Sequence, residues 1–254
     1  MIPGYHYTSM KAIIITSQRS GSNFLRHCLQ SHPKISCDGE LMIGGPITPP
    51  RLIENWRMPT KIYRWIRAGA WNPVRILEEF RARTDAPVVV FKAMYNQLRS
   101  PKVHEYLREH TDIRIIHLRR NNLVKQYVSK TLMGKRRDGR WQPHSTSKVR
   151  TVATHISPQA AIREMRNVQR QFDLFEQLLS NHRKIELVYE DMIDGQCLSD
   201  AAREAVCDLL EVESAPMCCD FVKVNPNKLE LMVKNYDELA AALKGTEFEQ
   251  YLQD

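Results

Sequence analysis

The stretch Thr16-Ser17-Gln18-Arg19-Ser20-Gly21-Ser22-Asn23-Phe24-Leu25 gathers a fixed positive charge, several hydroxyls and a glycine at one point of the chain. It follows an apolar run at residues 11–16 (KAIIIT) and opens a helical pattern, the junction at which open α/β sheets take their ligands. Gly21 lets backbone come close to a bound group. The free N–H groups of the new helix start, with the Ser20 and Ser22 hydroxyls, make an anion cradle. Arg19 adds a planar fork of donors. A Walker loop needs GxxxxGK[ST], and a dinucleotide fingerprint needs GxGxxG; neither pattern is present. The chemistry on offer is the binding of a phosphate-like or sulfate-like anion.

Four β-branched runs carry this loop and its neighbours: residues 11–16, 87–92 (PVVVFK), 113–118 (IRIIHL) and 184–189 (KIELVY), with a weaker fifth at 34–37. Their hydrophobicity is continuous rather than alternating, as in strands covered on both faces. Helical patterns separate them at 23–30, 74–83, 102–110 and 160–179, and Ile162, Met165, Val168, Phe172, Phe175 and Leu179 form one stripe along the last. Strand–helix alternation predicts an α/β fold, three-layer α/β/α with a central mostly parallel sheet and a P-loop-like strand–loop–helix at its edge. No repeat or linker divides residues 1–254, so one domain is expected.

Two segments break the pattern. Residues 43–50 (IGGPITPP) read as a loop. Residues 134–150 (GKRRDGRWQPHSTSKVR) read either as a solvated charged loop or as a flap over an anionic ligand, with Trp141 available to stack. Trp56, Tyr63, Trp65 and Trp71 could stack on a sugar or simply pack in the core.

The chain has 254 residues, 43% apolar and 26% charged, with 37 basic against 29 acidic side chains. These proportions exclude disorder and a coiled-coil rod, and no apolar run approaches the roughly 20 residues of a membrane span. The positive charge favours anionic partners without choosing among them. The six cysteines lack CxxC and zinc spacing, which leads us to expect reduced thiols, a cytoplasmic location and no metal.

The loop Arg19-Ser20-Gly21-Ser22 resembles the 5′-phosphosulfate loop of sulfotransferases that use 3′-phosphoadenosine 5′-phosphosulfate (PAPS); their carbohydrate and bacterial branches often carry RSGS or RSGT. Ile115-Ile116-His117-Leu118-Arg119-Arg120 resembles the strand end at which these enzymes bind the 3′-phosphate. Matching the pattern implies Arg120 and Ser129 for that role, at a spacing one residue longer than in many cytosolic members, so Arg119 stays open as a substitute. Phe91-Lys92-Ala93-Met94-Tyr95-Asn96-Gln97 resembles the FK-x-x-(W/Y)-x-Q segment of the bacterial branch, and Tyr189-Glu190-Asp191-Met192 the YEDL after the last core strand. The bacterial carbohydrate branch, which includes trehalose 2-sulfotransferase and the nodulation-factor enzymes, implies a glutamate base after the first helix. Asp38-Gly39-Glu40-Leu41 occupies that place, which makes Glu40 the base, with His32 a rival.

The resemblance thus implies PAPS as donor and a hydroxyl-bearing acceptor, a small molecule or glycan, with no nucleic acid and no stable membrane insertion. Arg19, Ser20, Gly21, Ser22 and Asn23 would hold the phosphosulfate, and Arg19 would stabilise the departing charge. Lys92 would either neutralise the sulfuryl oxygens or stand as an exposed structural lysine. Two alternatives stay open: a kinase-like nucleotide enzyme, and a basic nucleic-acid-binding protein whose affinity would fall steeply with salt.

Overall fold

The computed structural model describes residues 9–42, 72–133, 153–220 and 228–252. Trp141 with the rest of 134–150, and Trp56, Tyr63, Trp65 and Trp71, lie outside the described residues. The strands of the main sheet are β1 (Met10–Thr16), β2 (Ile35–Glu40), β3 (Val88–Met94), β4 (Arg114–Arg119) and β5 (Lys184–Val188). They form one sheet in the order β2-β3-β1-β4-β5, and every pairing is parallel. Helices α1 (Ser22–Gln30), α2 (Pro73–Arg81), α3 (Pro101–Glu109), α4 (Leu123–Met133), α5 (Pro158–Leu178), α6 (Asp200–Leu210) and α7 (Tyr236–Leu243), three short 3₁₀ turns, and a separate antiparallel pair of two-residue strands, β6 (Ile193–Asp194) and β7 (Cys197–Leu198), complete the described elements.

The continuous strands divide residue by residue between two cores. Ala12, Ile14, Val88, Val90, Ile116 and Leu118 face α1 and α6. Ile13, Ile15, Val89, Phe91, Ile113 and Ile115 face α2, α3 and α5. Both layers are apolar, which is why the runs read as unbroken. The expected three-layer α/β/α architecture is therefore present. A third cluster packs α4 and the start of α5 against α7 and Phe248.

Strand order decides where a ligand can sit. From β1 the chain turns toward β2, whereas β4 lies on the other flank of β1 and leads to β5. The C-terminal ends of β1 and β4 thus bound the switch-point crevice.

The thiol expectation needs correction. Cys197 and Cys218 are joined in a disulfide, and four free thiols remain, Cys28, Cys37, Cys207 and Cys219. The backbone explains the pairing: Cys197 and Cys218 face each other across an antiparallel bridge, closed by Leu198 N donating to Met217 O at 2.9 Å. Spacing in sequence carried no sign of this contact. With it goes the support the cysteines lent to a reducing compartment. Among the described residues no helix is long and apolar enough to cross a membrane.

Candidate active site

The loop between β1 and α1 is tied down from within. Thr16 Oγ1 donates to Leu118 O at 2.6 Å, clasping the ends of β1 and β4. Ser20 Oγ donates to Ser17 O at 2.9 Å and lies 2.5 Å from Thr16 Oγ1, with no exposure. Its hydroxyl therefore holds the loop in shape instead of facing the cleft, in contrast to the sequence expectation. From α4, Gln126 Nε2 donates to Ser17 Oγ and to Gln18 O, both at 2.7 Å.

Two residues of the loop adopt left-handed backbone, Arg19 (φ 65°) and Gly21 (φ 88°). Gly21 is the N-cap of α1, and no side chain caps the first turn. A helix start with no acidic side chain in its first turn favours an anion. Ser22 is buried and Asn23 half-buried at this start.

Arg19 reaches across the crevice, its Nε donating to Ser129 Oγ on α4 at 3.0 Å. Arg120 approaches the same point from the end of β4, with Nη1 3.3 Å from Arg19 O. The guanidinium of Arg120 lies over the Tyr189 ring at 4.7 Å and its side chain is 12% exposed. Glu190 Oε1 stands 3.6 Å from its Nε, an ion pair too long for a hydrogen bond, so that buried Nε–H has no acceptor among the described residues. Burial lowers the Arg120 pKa, against the pull of Tyr189 and Glu190. Arg119 is engaged elsewhere. Its Nε bonds Glu186 on β5, its Nη1 bonds Asn121, and its side chain is 38% exposed. Arg19, Arg120 and Ser129 thus converge, whereas Arg119 is bonded to Glu186 and Asn121 although it lines the same large cleft as Arg120.

The third group assembles on the other side of β1. Glu40 ends β2, in strand rather than loop, and its side chain is 21% exposed. Its Oε1 is 3.2 Å from Lys92 Nζ. Lys92, 5% exposed, also donates to Asn23 Oδ1 on α1, so it is no surface lysine. Burial lowers its pKa while Glu40 works in the opposite sense. Gln97, in the 3₁₀ turn Tyr95–Gln97 after β3, donates from Nε2 to Glu40 Oε2 at 2.7 Å. Rival base His32 lies at the far end of α1, buried, with its Nε2 3.0 Å from Glu213 O, away from these groups.

A cleft of about 1060 Å³ runs from Ser17, Tyr95 and Arg120 along α5 to Ile162 and Phe172, and a smaller one of about 280 Å³ adjoins it at Gln18, Gln126 and Lys130. Together the loop, the two arginines and the uncapped helix can hold a ligand with two separated anionic groups, while Glu40 and Lys92 stand on the other side of β1, tied to α1 through Asn23.

Over 95% of its length the chain aligns with 95% of the crystal structure of a sulfotransferase from Alicyclobacillus acidocaldarius, at a TM-score of 0.50 and 13% identity. The fold is a sulfotransferase fold. The sulfotransferase domain of the olefin synthase from Synechococcus PCC 7002 also aligns, over 96% of this chain and 90% of its own, at a TM-score of 0.41 and 16% identity. No protein-family model matches the sequence, and no curated protein is similar enough to match. In this fold the strand–loop–helix at β1 and the end of β4 lie side by side.

Sequence reasoning overlooked three contributors here. Tyr189 was quoted only within a motif, yet its ring packs against both Gly21 and Arg120. Gln97 too was quoted only within a motif and Gln126 not at all, and contacts across 57 and 109 residues of chain give them a role. The available signal for the Glu40 site was Gly39. A glycine inside a strand marks a bulge, and the β2–β3 register does shift between Asp38 and Glu40.

Proposed function

We propose that this chain is a PAPS-dependent sulfotransferase that sulfates a hydroxyl of a carbohydrate or glycolipid acceptor. The observation that carries the reading is the convergence of Arg19, Arg120 and Ser129 next to the uncapped start of α1. A buried arginine N–H without an acceptor, at such a point, suits a phosphate that would complete it. Bound there, PAPS supplies the sulfuryl group and leaves as adenosine 3′,5′-bisphosphate.

The remaining work falls to side chains of this protein. Backbone N–H groups of Ser22 and Asn23 hold the phosphosulfate end, and Gly21 lets it approach. Arg120 and Ser129 hold the 3′-phosphate. Arg19 sits where negative charge grows on the leaving group and stabilises it, the kind of fixed electrostatic help that counts most in such transfers. Glu40 accepts the proton of the acceptor hydroxyl as that oxygen attacks sulfur. Lys92, already beside Glu40, offers its charge to the sulfuryl oxygens. The proton ends on Glu40 and the sulfuryl group on the acceptor oxygen.

A thermal-shift titration with adenosine 3′,5′-bisphosphate, run beside ATP with magnesium, tests the donor. At 100 times Kd a ligand adds about 2.7 kcal/mol of stability, which raises Tm by roughly 5–10 °C in a chain of this size. A shift with the bisphosphate and none with ATP is expected. A shift with ATP alone would replace the reading with a kinase-like one. The acceptor is then sought by transfer of labelled sulfate from PAPS to a panel of mono- and disaccharides, trehalose included.

A further inference from the structure

We infer that Gln97 is the positioning residue of the active site: it fixes the carboxylate of Glu40 in place through a hydrogen bond whose polarity the backbone dictates. The inference deepens the proposed function, since its purpose rests on Glu40 acting as the base.

Both ends of the Gln97 amide are occupied. Oε1 accepts from Met94 N at 2.9 Å, and Nε2 donates to Glu40 Oε2 at 2.7 Å. A backbone N–H can only donate, so it selects the oxygen end of the amide for itself. The nitrogen end is thereby forced toward Glu40, which must accept. An amide elsewhere could flip and offer either end, but this one has a single satisfied orientation. The Met94 contact closes the 3₁₀ turn that ends β3, so the donor aimed at Glu40 is built into the turn.

The second oxygen is held from the same stretch of chain. Lys92 sits on β3 and bonds Glu40 Oε1, while Gln97 follows β3 and bonds Oε2. Glu40 reaches both because β2 slips one place against β3 at Gly39, putting Glu40 opposite Lys92. By plain alternation, Ile35 and Cys37 face α1 and Glu40 would point to the other layer. The bulge returns it to the side where Lys92 meets Asn23. Two donors on two oxygens remove the rotational freedom of a glutamate side chain, and each oxygen keeps a second lone pair for an acceptor hydroxyl. Lys92 is charged and lies next to Asn23 of the phosphosulfate loop, so it belongs to the reacting center. Among the described residues Gln97 bonds Glu40 and the Met94 backbone, and it acts through Glu40.

The test uses the full chain with adenosine 3′,5′-bisphosphate bound, labelled with ¹³C at glutamate side-chain carboxyls, the Glu40 resonance being assigned by its loss in Glu40→Gln. Gln97→Glu keeps the acceptor for Met94 N and nearly the same shape, but sets a second carboxylate against the first. Like charges sharing a site hold on to a proton. The titration midpoint of Glu40 should move up by about one pH unit or more relative to the parent chain. Gln97→Met, which removes the donor at similar volume, should move it the same way by less. Bisphosphate affinity should stay within about twofold in both, as Gln97 touches no part of that site. Coincident midpoints in all three chains, with Tm preserved, would overturn the inference. Its failure is separable from that of the base assignment. Shifted midpoints together with undiminished PAPS turnover in Glu40→Gln would uphold Gln97 and remove the base. Coincident midpoints with turnover lost in Glu40→Gln would do the reverse.

Discussion

The ring of Tyr189 fills the space that a side chain on Gly21 would need. A Cβ at residue 21 would stand 2.6 Å from Tyr189 Cε2 and closer still to Cδ2, while the backbone there has φ +88°. The same ring carries the Arg120 guanidinium at 4.7 Å. One aromatic side chain thus sets the spacing between the loop after β1 and the arginine at the end of β4.

Gly21→Ala should therefore fail twice, through left-handed backbone at about 1–2 kcal/mol and through overlap at about 1–3 kcal/mol. Together these lower Tm by roughly 5–15 °C. The overlap part belongs to the pair. In a double-mutant cycle with Tyr189→Ala, the two losses should sum to more than the loss in the double variant. Strict additivity would mean that the ring moves aside freely.

The two adjacent arginines should behave differently. Arg120 converges with Arg19 and Ser129, whereas Arg119 is bonded to Glu186 and Asn121. A charge-assisted hydrogen bond contributes about 1.5–3 kcal/mol. Arg120→Ala should weaken adenosine 3′,5′-bisphosphate binding by roughly 10–150-fold in calorimetric titration, and Arg119→Ala by less than about threefold. Equal losses would move the second anion site off Arg120.

How much of this was legible beforehand follows from the range of the interactions. The strands at residues 11–16 and 113–118 were plain because each is a dense apolar run, and burial on both faces requires that. The loop after β1 was plain because its chemistry is contiguous. The end of β2 was weaker, since ISCDGE has few β-branched residues and earns its strand by pairing with β3. Lys92 could not be told from a surface lysine, because its partners Asn23 and Glu40 lie 69 and 52 residues away in the chain. Arg120 was set ahead of Arg119 by pattern alone, with Arg119 open as a substitute, until β5 supplied Glu186 to Arg119. Local chemistry reads directly, and choices made by distant partners do not.

The Cys197–Cys218 disulfide closes a loop of 21 residues, a length for which loop-closure entropy contributes about 3 kcal/mol. Reduction should lower Tm by roughly 6–12 °C. Cys197→Ser and Cys218→Ser should each lower it by a similar amount, and the double variant by no more than either. A reductant without effect on Tm would show that the pair is not bonded in solution.

His117 should contribute to acid sensitivity. This side chain has no exposure, its Nε2 is 2.8 Å from the Tyr95 hydroxyl and its Nδ1 2.5 Å from Glu176 Oε1. Neutral imidazole satisfies both contacts, accepting from Tyr95 and donating to Glu176. Burial lowers the His117 pKa, although Glu176 pulls the other way. The folded chain then binds this proton less readily than the unfolded chain, so stability present above about pH 6.5 drains away as pH falls below it. The slope approaches about 1.4 kcal/mol per pH unit until the folded pKa is reached. Burial alone would raise the Glu176 pKa, but its bonds to Lys184 and His117 outweigh that and lower it. Its contribution is therefore lost further into acid. His27 and His104 are also lowered, chiefly by burial, so the parent slope sums several groups and a variant must isolate this one. In urea unfolding, His117→Gln should be less stable than the parent at pH 7.5 and lose less between pH 6.5 and 5.5. An unchanged slope would assign the acid sensitivity to the other histidines.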